Sequence, residues 1–514
     1  MKINIKNIST ALLGAALLFG TSCTKNLENI NADQKGITSE DLEQDYAQIK
    51  SFFPGMMNSI MKVNPEWMYQ IQQNLNADIF SGYMMTPTPF AGNVNNNTYF
   101  MMDGWNNFAI TVPVENVLNP WLEVKSLTEE KYKDWYSISL ILKVFAGHRI
   151  VDIFGPFPYS EFGTSSKFDS EQEAYNAFFA DLDMAITTLE GYKGSKSETA
   201  FAGVDISTLN GSYTKWIQLA NSLRLRLAIR ISNVDATLAE TEAKKSLNHP
   251  DGLLETDDFM ITHAFNHPIS TVSQGWGDIL MGAPMQSILG GYADPRLEKY
   301  FLPSVDGDIK GIRQGINLTA KAEYGGFSKV NINSGAPIQL MTASETYFLR
   351  AEAALKGWGG DAKSLYESGI ERSFTQHGAT LGSYLTNTAK PAAYIDPLHA
   401  ENNVDAASVS QITVNWADAT TDEEKLEKII TQKWIATFPD GQEAWSEHRR
   451  TGYPVLFPVV INNSGGKVAD GAFISRLSYP ADFKATNPTA AQEAIDKYFG
   501  GNDSPGQKLW WAKY

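Results

Sequence analysis

The chain has 514 residues, 43% of them hydrophobic and 19% charged, which is typical of a globular protein and unlike a disordered one. Its 42 basic and 58 acidic side chains give a net charge of −16, which argues against a nucleic-acid groove, because phosphate binding needs clustered Lys and Arg. Beyond the N-terminus no apolar run reaches about 18 residues, so no further segment is predicted to span a membrane as a helix.

Residues 1–22 have the pattern of a signal peptide. Two lysines precede a short apolar segment, and small residues follow it. The next residue is Cys23, the only cysteine in the chain, so it has no partner for an internal disulfide. The pattern resembles a bacterial lipobox, although Gly20 stands where a strict lipobox has Leu. We therefore predict that Cys23 is acylated and anchors the protein to a membrane.

The mature chain is predicted to form a polar tether over 23–45 and a single helical domain over 46–514. Loop-rich insertions interrupt this domain where Gly, Asn and Pro accumulate. They lie at about 78–120, 255–340 and 378–420. A short strand is expected between 300 and 340, where Gly-rich segments alternate with Ile and Val. Long loops on a rigid scaffold are where binding groups tend to lie.

Helical spacing of apolar residues predicts antiparallel helix pairs in the rest of the domain. They are 132–151 with 170–190, 212–232 with 236–247, and 343–356 with 362–376. In the last pair Asp361 is predicted to cap the second helix, and Ala351 and Ala354 to let the two helices approach closely. A further helix is predicted to begin at Thr421, which forms a capping box with Glu424, and to end at a Pro-Asp-Gly run. The predicted fold is mainly α: a tetratricopeptide-like scaffold of helix pairs with long irregular loops and minor β structure.

The first insertion is dense in Tyr, Phe, Trp and Asn. Aromatic faces and amide groups together suit a ligand rich in hydroxyl or amide groups, whereas the alternative is that these residues pack the loop against the helices. Six residues of this type are predicted to bind the ligand by stacking and hydrogen bonding. They are Tyr83, Asn93, Tyr99, Trp105, Asn106 and Trp276.

Motifs for phosphate loops, dinucleotide binding, zinc proteases and serine hydrolases do not occur. His263 and His267 have a spacing that can share a metal on a helix, but Pro268 follows at once, so a structural role is favoured. Asp306 and Asp308 are acidic enough for calcium, yet their VDGD sequence is typical of a turn. No metal site and no cofactor are predicted, and calcium is left open as a candidate ion.

Carboxylates are plentiful, so composition alone leaves a glycosidase pair open. Glu443, Glu447 and His448 lie on one helical face near Arg449 and Arg450. We interpret this cluster as a structural ion-pair network and not as a catalytic site.

Four segments, in this order behind Cys23, resemble the SusD/RagB family of nutrient-binding outer-membrane lipoproteins, in its SusD-like branch. They are HRIVDIFGPFPYSEF at 148–162, MTASETYFLRAEAALKGW at 341–358, KIITQKWIATFPDGQEAWSEHRRTGYPVL at 428–456 and SRLSYPADFKATNP at 475–488. The resemblance implies tetratricopeptide-like helix pairs carrying irregular loops. It also implies a partner, a SusC-like TonB-dependent β-barrel transporter over whose mouth the lipoprotein closes.

The resemblance leads us to expect a non-enzymatic protein, lipid-anchored in the outer membrane and exposed at the cell surface. It would bind an oligosaccharide, or alternatively an oligopeptide, and deliver it to the transporter; no nucleic acid is expected. Two other functions remain open on the sequence: a tetratricopeptide-type adaptor that binds only protein, and a lipid-anchored glycoside hydrolase.

Overall fold

The computed structural model describes residues 46–513. The predicted signal peptide, the predicted acylation of Cys23 and the predicted tether over 23–45 lie outside these residues. The described chain falls into two units, which divide between Lys50 and Ser51. The first contains helix α1 (Ala47–Lys50), and the elements below belong to the second.

The second unit is built mainly from α-helices, as predicted. In chain order they are α2 (Phe52–Met57), α3 (Glu66–Tyr69), α4 (Ala77–Phe80), α5 (Asp103–Pro113), α6 (Asn119–Thr128), α7 (Lys133–Phe154), α8 (Glu171–Glu190), α9 (Lys196–Ala202), α10 (Tyr213–Ile231), α11 (Ala236–Leu247), α12 (Ala283–Gly291), α13 (Leu297–Tyr300), α14 (Lys321–Tyr324), α15 (Ala343–Leu355), α16 (Ala362–Gln376), α17 (Asp422–Thr437), α18 (Gly441–Thr451), α19 (Ala481–Thr486) and α20 (Pro488–Phe499). No helix within 46–513 is both long and apolar enough to cross a membrane.

Short irregular helices and strands occupy the loops. The π-helices are Gln70–Asn74, Val114–Leu118 and Ser270–Gly275, and the 3-10 helices are Phe90–Asn93, Asn96–Thr98, Tyr384–Thr386, Ala400–Asn402 and Trp416–Asp418. The strands are β1 (Met84–Met85), β2 (Phe259–Ile261), β3 (Leu280–Met281) and β4 (Ile338–Met341). They form two antiparallel two-stranded sheets, β1 with β3 and β2 with β4. The strand expected between 300 and 340 corresponds to β4, which begins near the end of that range.

The predicted helix pairs are confirmed: α7 packs on α8, α10 on α11, and α15 on α16. Their starts follow from local capping, because a side-chain oxygen accepts a hydrogen bond from an unpaired backbone N–H of the first turn. Thr421 and Glu424 form the predicted capping box at α17, and Asp361 accepts from the N–H of Ser364 at 2.8 Å. The segment 78–120, predicted to be a loop-rich insertion, also contains α5 and a π-helix.

A small residue lets α15 and α16 approach closely. It is Gly369 of α16, where a Cβ would lie 2.9 Å from the ring of Phe348 on α15. The hydroxyl of Ser344 on α15 also donates to the carbonyl of Gly369 at 2.7 Å. Ala351 is buried as expected, but Gly369 was not singled out from the sequence.

Buried charges from five helices meet in the core. Their pairs include Arg226–Glu345 at 2.6 Å, Arg230–Glu443 at 2.7 Å, Arg450–Glu352 at 2.7 Å, Lys433–Glu443 at 2.8 Å and Arg230–Asp152 at 2.9 Å. A buried charge is tolerated only when it is paired, so the network fixes how α7, α10, α15, α17 and α18 sit together. The cluster interpreted as a structural ion-pair network therefore lies inside the protein.

The ionisation of this network follows from its neighbours. Burial alone would raise the pKa of Glu447, but the charges of Arg450, Lys433 and Arg230 outweigh it and hold the pKa at about 2. Burial lowers the pKa of His448 to about 4, so this imidazole is neutral at physiological pH. Glu447 is therefore charged at physiological pH and is paired with Arg450, Lys433 and Arg230.

Candidate ligand-binding surface

Five aromatic side chains form a partly exposed surface, here called the aromatic surface. They are Trp67, Phe90, Trp105, Phe108 and Trp276. Trp67 and Trp276 are each 42% exposed, a large fraction for tryptophan, and the other three are half-buried. Exposed aromatic groups close to one another are a feature of binding sites, because single exposed apolar residues are common and clusters are not.

Ring contacts and one helix join four of these residues. Trp67 meets Phe108 edge-on with ring centroids 5.5 Å apart, and Phe90 meets Trp105 in the same way at 5.9 Å. Trp105 and Phe108 are three residues apart on α5, so they lie on one face of that helix. These contacts restrict ring rotation, which lowers the entropy that a bound ligand would cost.

Polar groups connect Trp276 to the same surface. Thr88, two residues before Phe90, donates its hydroxyl hydrogen bond to Asp278 at 2.8 Å. The ammonium group of Lys321 donates to Asp278 at 2.7 Å and to the backbone carbonyl of Trp276 at 2.8 Å. Thr88, Asp278 and Lys321 therefore fix the segment that carries Trp276 beside the segment that carries Phe90.

A π-helix links the segment that carries Trp276 to the segment that carries Trp67. Thr271 in the π-helix Ser270–Gly275 donates to the Glu66 carboxylate at 3.5 Å, next to Trp67. Gln274 in the same π-helix donates to the carbonyls of Val330 and Ile332, at 2.9 Å and 2.8 Å. These contacts complete a closed chain that links the segments carrying all five rings. π-Helices are rare and occur frequently at functional sites.

Trp105 and Trp276, two of the six predicted binding residues, lie on the aromatic surface. Trp67, Phe90 and Phe108 were missed. Phe90 and Phe108 fall in the aromatic insertion, where local sequence does not distinguish exposed from buried rings. Trp67 lies in a short helix and joins the surface only through contacts with residues distant in the chain.

Tyr83 and Tyr99 lie in the core. Tyr83 is fully buried between the rings of Trp434 and Phe438, and its hydroxyl donates to the carbonyl of Trp434. Tyr99 is 4% exposed and has a left-handed backbone with φ of 62°. In this conformation neither ring has a free face for a ligand, which agrees with the packing alternative for these two residues.

Asn93 and Asn106 are also buried and bonded within the protein. Asn93 donates to the carbonyl of Ile316 at 2.9 Å, and Asn106 accepts from the amide of Asn96 at 2.8 Å. The amide oxygen of Asn96 in turn accepts from the N–H of Met102 at 2.7 Å. The asparagines thus stabilise the loop beneath the aromatic surface, since a loop lacks backbone partners for its polar groups.

The metal candidates show ordinary structural contacts. His263 lies in a segment without regular secondary structure and not on a helix, with both ring nitrogens 2.9 Å from backbone carbonyls. Burial and the neighbouring His263 lower the pKa of His267 to about 3. Asp306, in the predicted turn, pairs with Lys310 at 2.5 Å.

One cluster of side chains that the sequence did not single out has the spacing of metal ligands. Glu190, His249 and Asp251 place one ligand atom each within 4.8 Å of one another. However, Lys193 lies 2.8 Å from Asp251 and already supplies a positive charge. We assign no metal to this cluster.

The arrangement of the helix pairs and their loops can be compared with known proteins. A family model described as "SusD-like: Susd and RagB outer membrane lipoprotein" matches residues 29–512. The chain belongs to the SusD-like family. A comparison of this SusD-like chain with curated proteins found no match.

Solved structures of SusD homologues resemble this SusD-like chain over almost its whole length. A chitin-binding SusD homologue from Flavobacterium johnsoniae is 43% identical, with a TM-score of 0.87 over 90% of this chain and 98% of the homologue. A SusD homologue from Bacteroides vulgatus is 37% identical, with a TM-score of 0.86 over 92% and 99% of the two chains. One from Bacteroides uniformis is 34% identical, with a TM-score of 0.84 over 91% and 99%.

Proposed function

We propose that this SusD-like protein binds a neutral oligosaccharide on its aromatic surface and does no chemistry on it. The observation that supports the proposal is the closed chain of contacts that links the segments carrying Trp67, Trp105 and Trp276. Indole rings cover the apolar face of a sugar ring, and nearby polar groups bond its hydroxyls. The name of the chitin-binding relative, 43% identical, supports a glycan as the ligand.

The polar groups of the surface would fix the orientation of the sugar. Asp278 accepts hydrogen bonds, and Lys321 donates them at the same point. Both groups are partly exposed, so a sugar hydroxyl can compete for them without removing a charge from its partner. A neutral sugar is preferred over a charged one because these two charges already compensate each other.

The rest of the proposal concerns location and delivery. Acylated Cys23 would hold the protein in the outer membrane at the cell surface, which fits a family of outer-membrane lipoproteins. A SusC-like TonB-dependent barrel would receive the bound glycan. An oligopeptide ligand, a purely protein-binding adaptor and a glycoside hydrolase are the alternatives that the following experiment separates.

The test is calorimetric titration of the full chain, purified in detergent, with N-acetylglucosamine hexamer and with a peptide pool. We expect the hexamer to bind. Trp105→Ala and Trp276→Ala should each weaken binding about tenfold, which corresponds to the ~1.4 kcal/mol of a good aromatic contact. The protein should release no shorter sugar on prolonged incubation.

Trp358→Ala is the matched control, because Trp358 is half-buried in the turn between α15 and α16, outside the aromatic surface. This variant should keep the affinity of the parent protein. Equal affinities for all three variants would contradict the role of the aromatic surface. Binding to peptides alone would change the ligand class, and release of shorter sugars would establish a hydrolase. Binding of neither the hexamer nor the peptide pool would favour the protein-binding adaptor.

A further inference from the structure

A cavity of about 650 Å³ opens beside the aromatic surface and includes none of its five rings. Its walls come from α5, the following π-helix, the loop 157–168 and α19. Its volume lies within the usual range for small-molecule sites, which is roughly 300–1,000 Å³.

Four phenylalanines line the cavity. Phe157 lies nearly parallel to Phe483, with centroids 6.2 Å apart and planes at 17°, and nearly parallel to Phe162, at 6.2 Å and 20°. Phe168 meets Phe483 at 5.9 Å. Phe162 and Phe483 are half-buried, so part of each ring faces the cavity or solvent. The lining therefore offers apolar ring surface from both the loop 157–168 and α19.

The polar lining calls for a ligand that donates hydrogen bonds. The side-chain oxygen of Asn107 is buried and has no hydrogen-bond partner, which is costly unless a ligand or water supplies a donor. Glu115 and Asp482 add negative charge at exposed positions, and none of the described lining residues is Lys or Arg. An acidic ligand is therefore disfavoured, and an uncharged ligand with hydroxyl or amide groups is favoured.

Hydrogen bonds hold the walls in place. The Asp169 carboxylate accepts from the N–H groups of Tyr159 and Ser160, at 2.9 Å and 2.7 Å, and so anchors the loop 157–168. At the other side Asp103 of α5 accepts from the N–H of Ala481, at 2.9 Å, where α19 begins. The cavity is thus preformed, which reduces the cost of binding.

The cavity adjoins the aromatic surface through α5. Asn107 lines the cavity, and the next residue, Phe108, belongs to the aromatic surface. Neighbouring Cα atoms are about 3.8 Å apart, so only the width of this helix separates the two places. A chain of several sugar units can therefore contact both.

We propose that this cavity is a second binding subsite for an uncharged sugar unit. The Asn107 oxygen accepts a hydrogen bond from a hydroxyl or amide of the sugar, and the rings of Phe162 and Phe483 cover its apolar face. The inference rests on the proposed function of glycan binding and extends it to a second place on the molecule.

Hydrogen exchange of backbone amides, followed by mass spectrometry, separates the two sites. The full chain in detergent is measured with and without N-acetylglucosamine hexamer. We expect slower exchange in 157–168 and 481–487, from the cavity, as well as in 271–278, from the aromatic surface. With the hexamer at ten times its Kd, exchange should slow by about tenfold.

The segments that become protected distinguish the second subsite from the aromatic surface. Protection of 271–278 alone overturns the second subsite and leaves the proposed function standing. Protection of the cavity segments alone supports the subsite and removes the aromatic surface as a binding site. Protection of neither region overturns both proposals for this ligand.

A variant that blocks the cavity tests whether the protection of 481–487 comes from ligand bound in the cavity. Ser166 is exposed on the cavity lining, so Ser166→Trp fills the cavity without opening the core. This variant should lose protection of 481–487 and keep that of 271–278. Ser126→Trp, at an exposed position on α6 outside the cavity, is the matched control and should behave like the parent protein. Protection of 481–487 that persists in Ser166→Trp would overturn the subsite.

Discussion

At the scale of single residues, buried tyrosine hydroxyls donate hydrogen bonds to the last carbonyls of α17. The last carbonyls of a helix lack partners within the helix. Here Tyr83 donates to the carbonyl of Trp434, and Tyr300 donates to that of Ile435 at 3.0 Å. Gln339 donates to the carbonyl of Thr437 at 3.0 Å. Side chains distant in sequence thus take the place of a backbone cap.

Tyr83→Phe should therefore reduce stability and leave ligand binding unchanged. Removing the hydroxyl leaves a buried carbonyl short of a partner, which costs about 1–2 kcal/mol. Chemical denaturation of the variant and the parent protein measures this loss, and Tyr300→Phe should show a similar one. Weaker glycan binding with unchanged stability would instead place Tyr83 in contact with the ligand.

At the scale of elements, the close crossing of α15 and α16 requires a glycine at position 369. Gly369→Ala would bring a Cβ to 2.9 Å from the ring of Phe348, closer than normal contact. Phe348 is fully buried and cannot move away, so we expect the overpacking to cost about 1–3 kcal/mol. The measurement is the midpoint of thermal or chemical unfolding.

Gly290→Ala is the matched control for this prediction. Gly290 lies in α12 at an exposed position, with open space where the methyl group of alanine would lie. Alanine should stabilise the protein there by about 0.4–1 kcal/mol, because it restricts the unfolded chain. The same effect at Gly369 and Gly290 would show that the close approach in α15 and α16 is not what matters.

The helix pairs were predictable because their determinants are local. A cap acts on N–H groups within three residues, as Thr421 and Asp361 do, and the apolar spacing repeats every turn. Only two of the five rings of the aromatic surface were named from the sequence, since its contacts join residues such as Glu66 and Thr271 that are far apart in the chain. Composition pointed to the insertion that carries Phe90, Trp105 and Phe108, but burial decided which of its rings are exposed.

At the scale of the whole molecule, the C-terminal segment closes over the buried charges. Trp511 is 1% exposed and lies over the guanidinium groups of Arg230 and Arg449, at 5.1 Å and 4.9 Å. The N–H of the preceding residue, Trp510, donates to Glu171 at the start of α8 at 2.9 Å. Residues far apart in the sequence therefore complete one core.

Glu171 makes the free energy of unfolding depend on pH. Burial, with a smaller contribution from the Asp152 charge, raises the pKa of Glu171 from 4.5 to about 8, despite the hydrogen bond from Trp510. Below pH 4.5 the carboxyl is protonated in both the folded and unfolded chain, so its contribution is fully present. Between pH 4.5 and 8 only the unfolded chain loses the proton, so the free energy of unfolding falls as pH rises.

Glu171→Gln should remove this dependence, because glutamine stays neutral and can still accept from the N–H of Trp510. We expect no change in the free energy of unfolding at pH 4 and a gain of at least about 1 kcal/mol at pH 8. Glu173→Gln tests the sign on the same helix. Hydrogen bonds from the Ser170 backbone and hydroxyl lower the pKa of Glu173, so its charge stabilises the fold above the unfolded pKa. Relative to the parent protein, that variant should lose stability at pH 8 and regain it in acid. An effect of Glu171→Gln that is equal at both pH values would show instead that folding does not shift the pKa of Glu171.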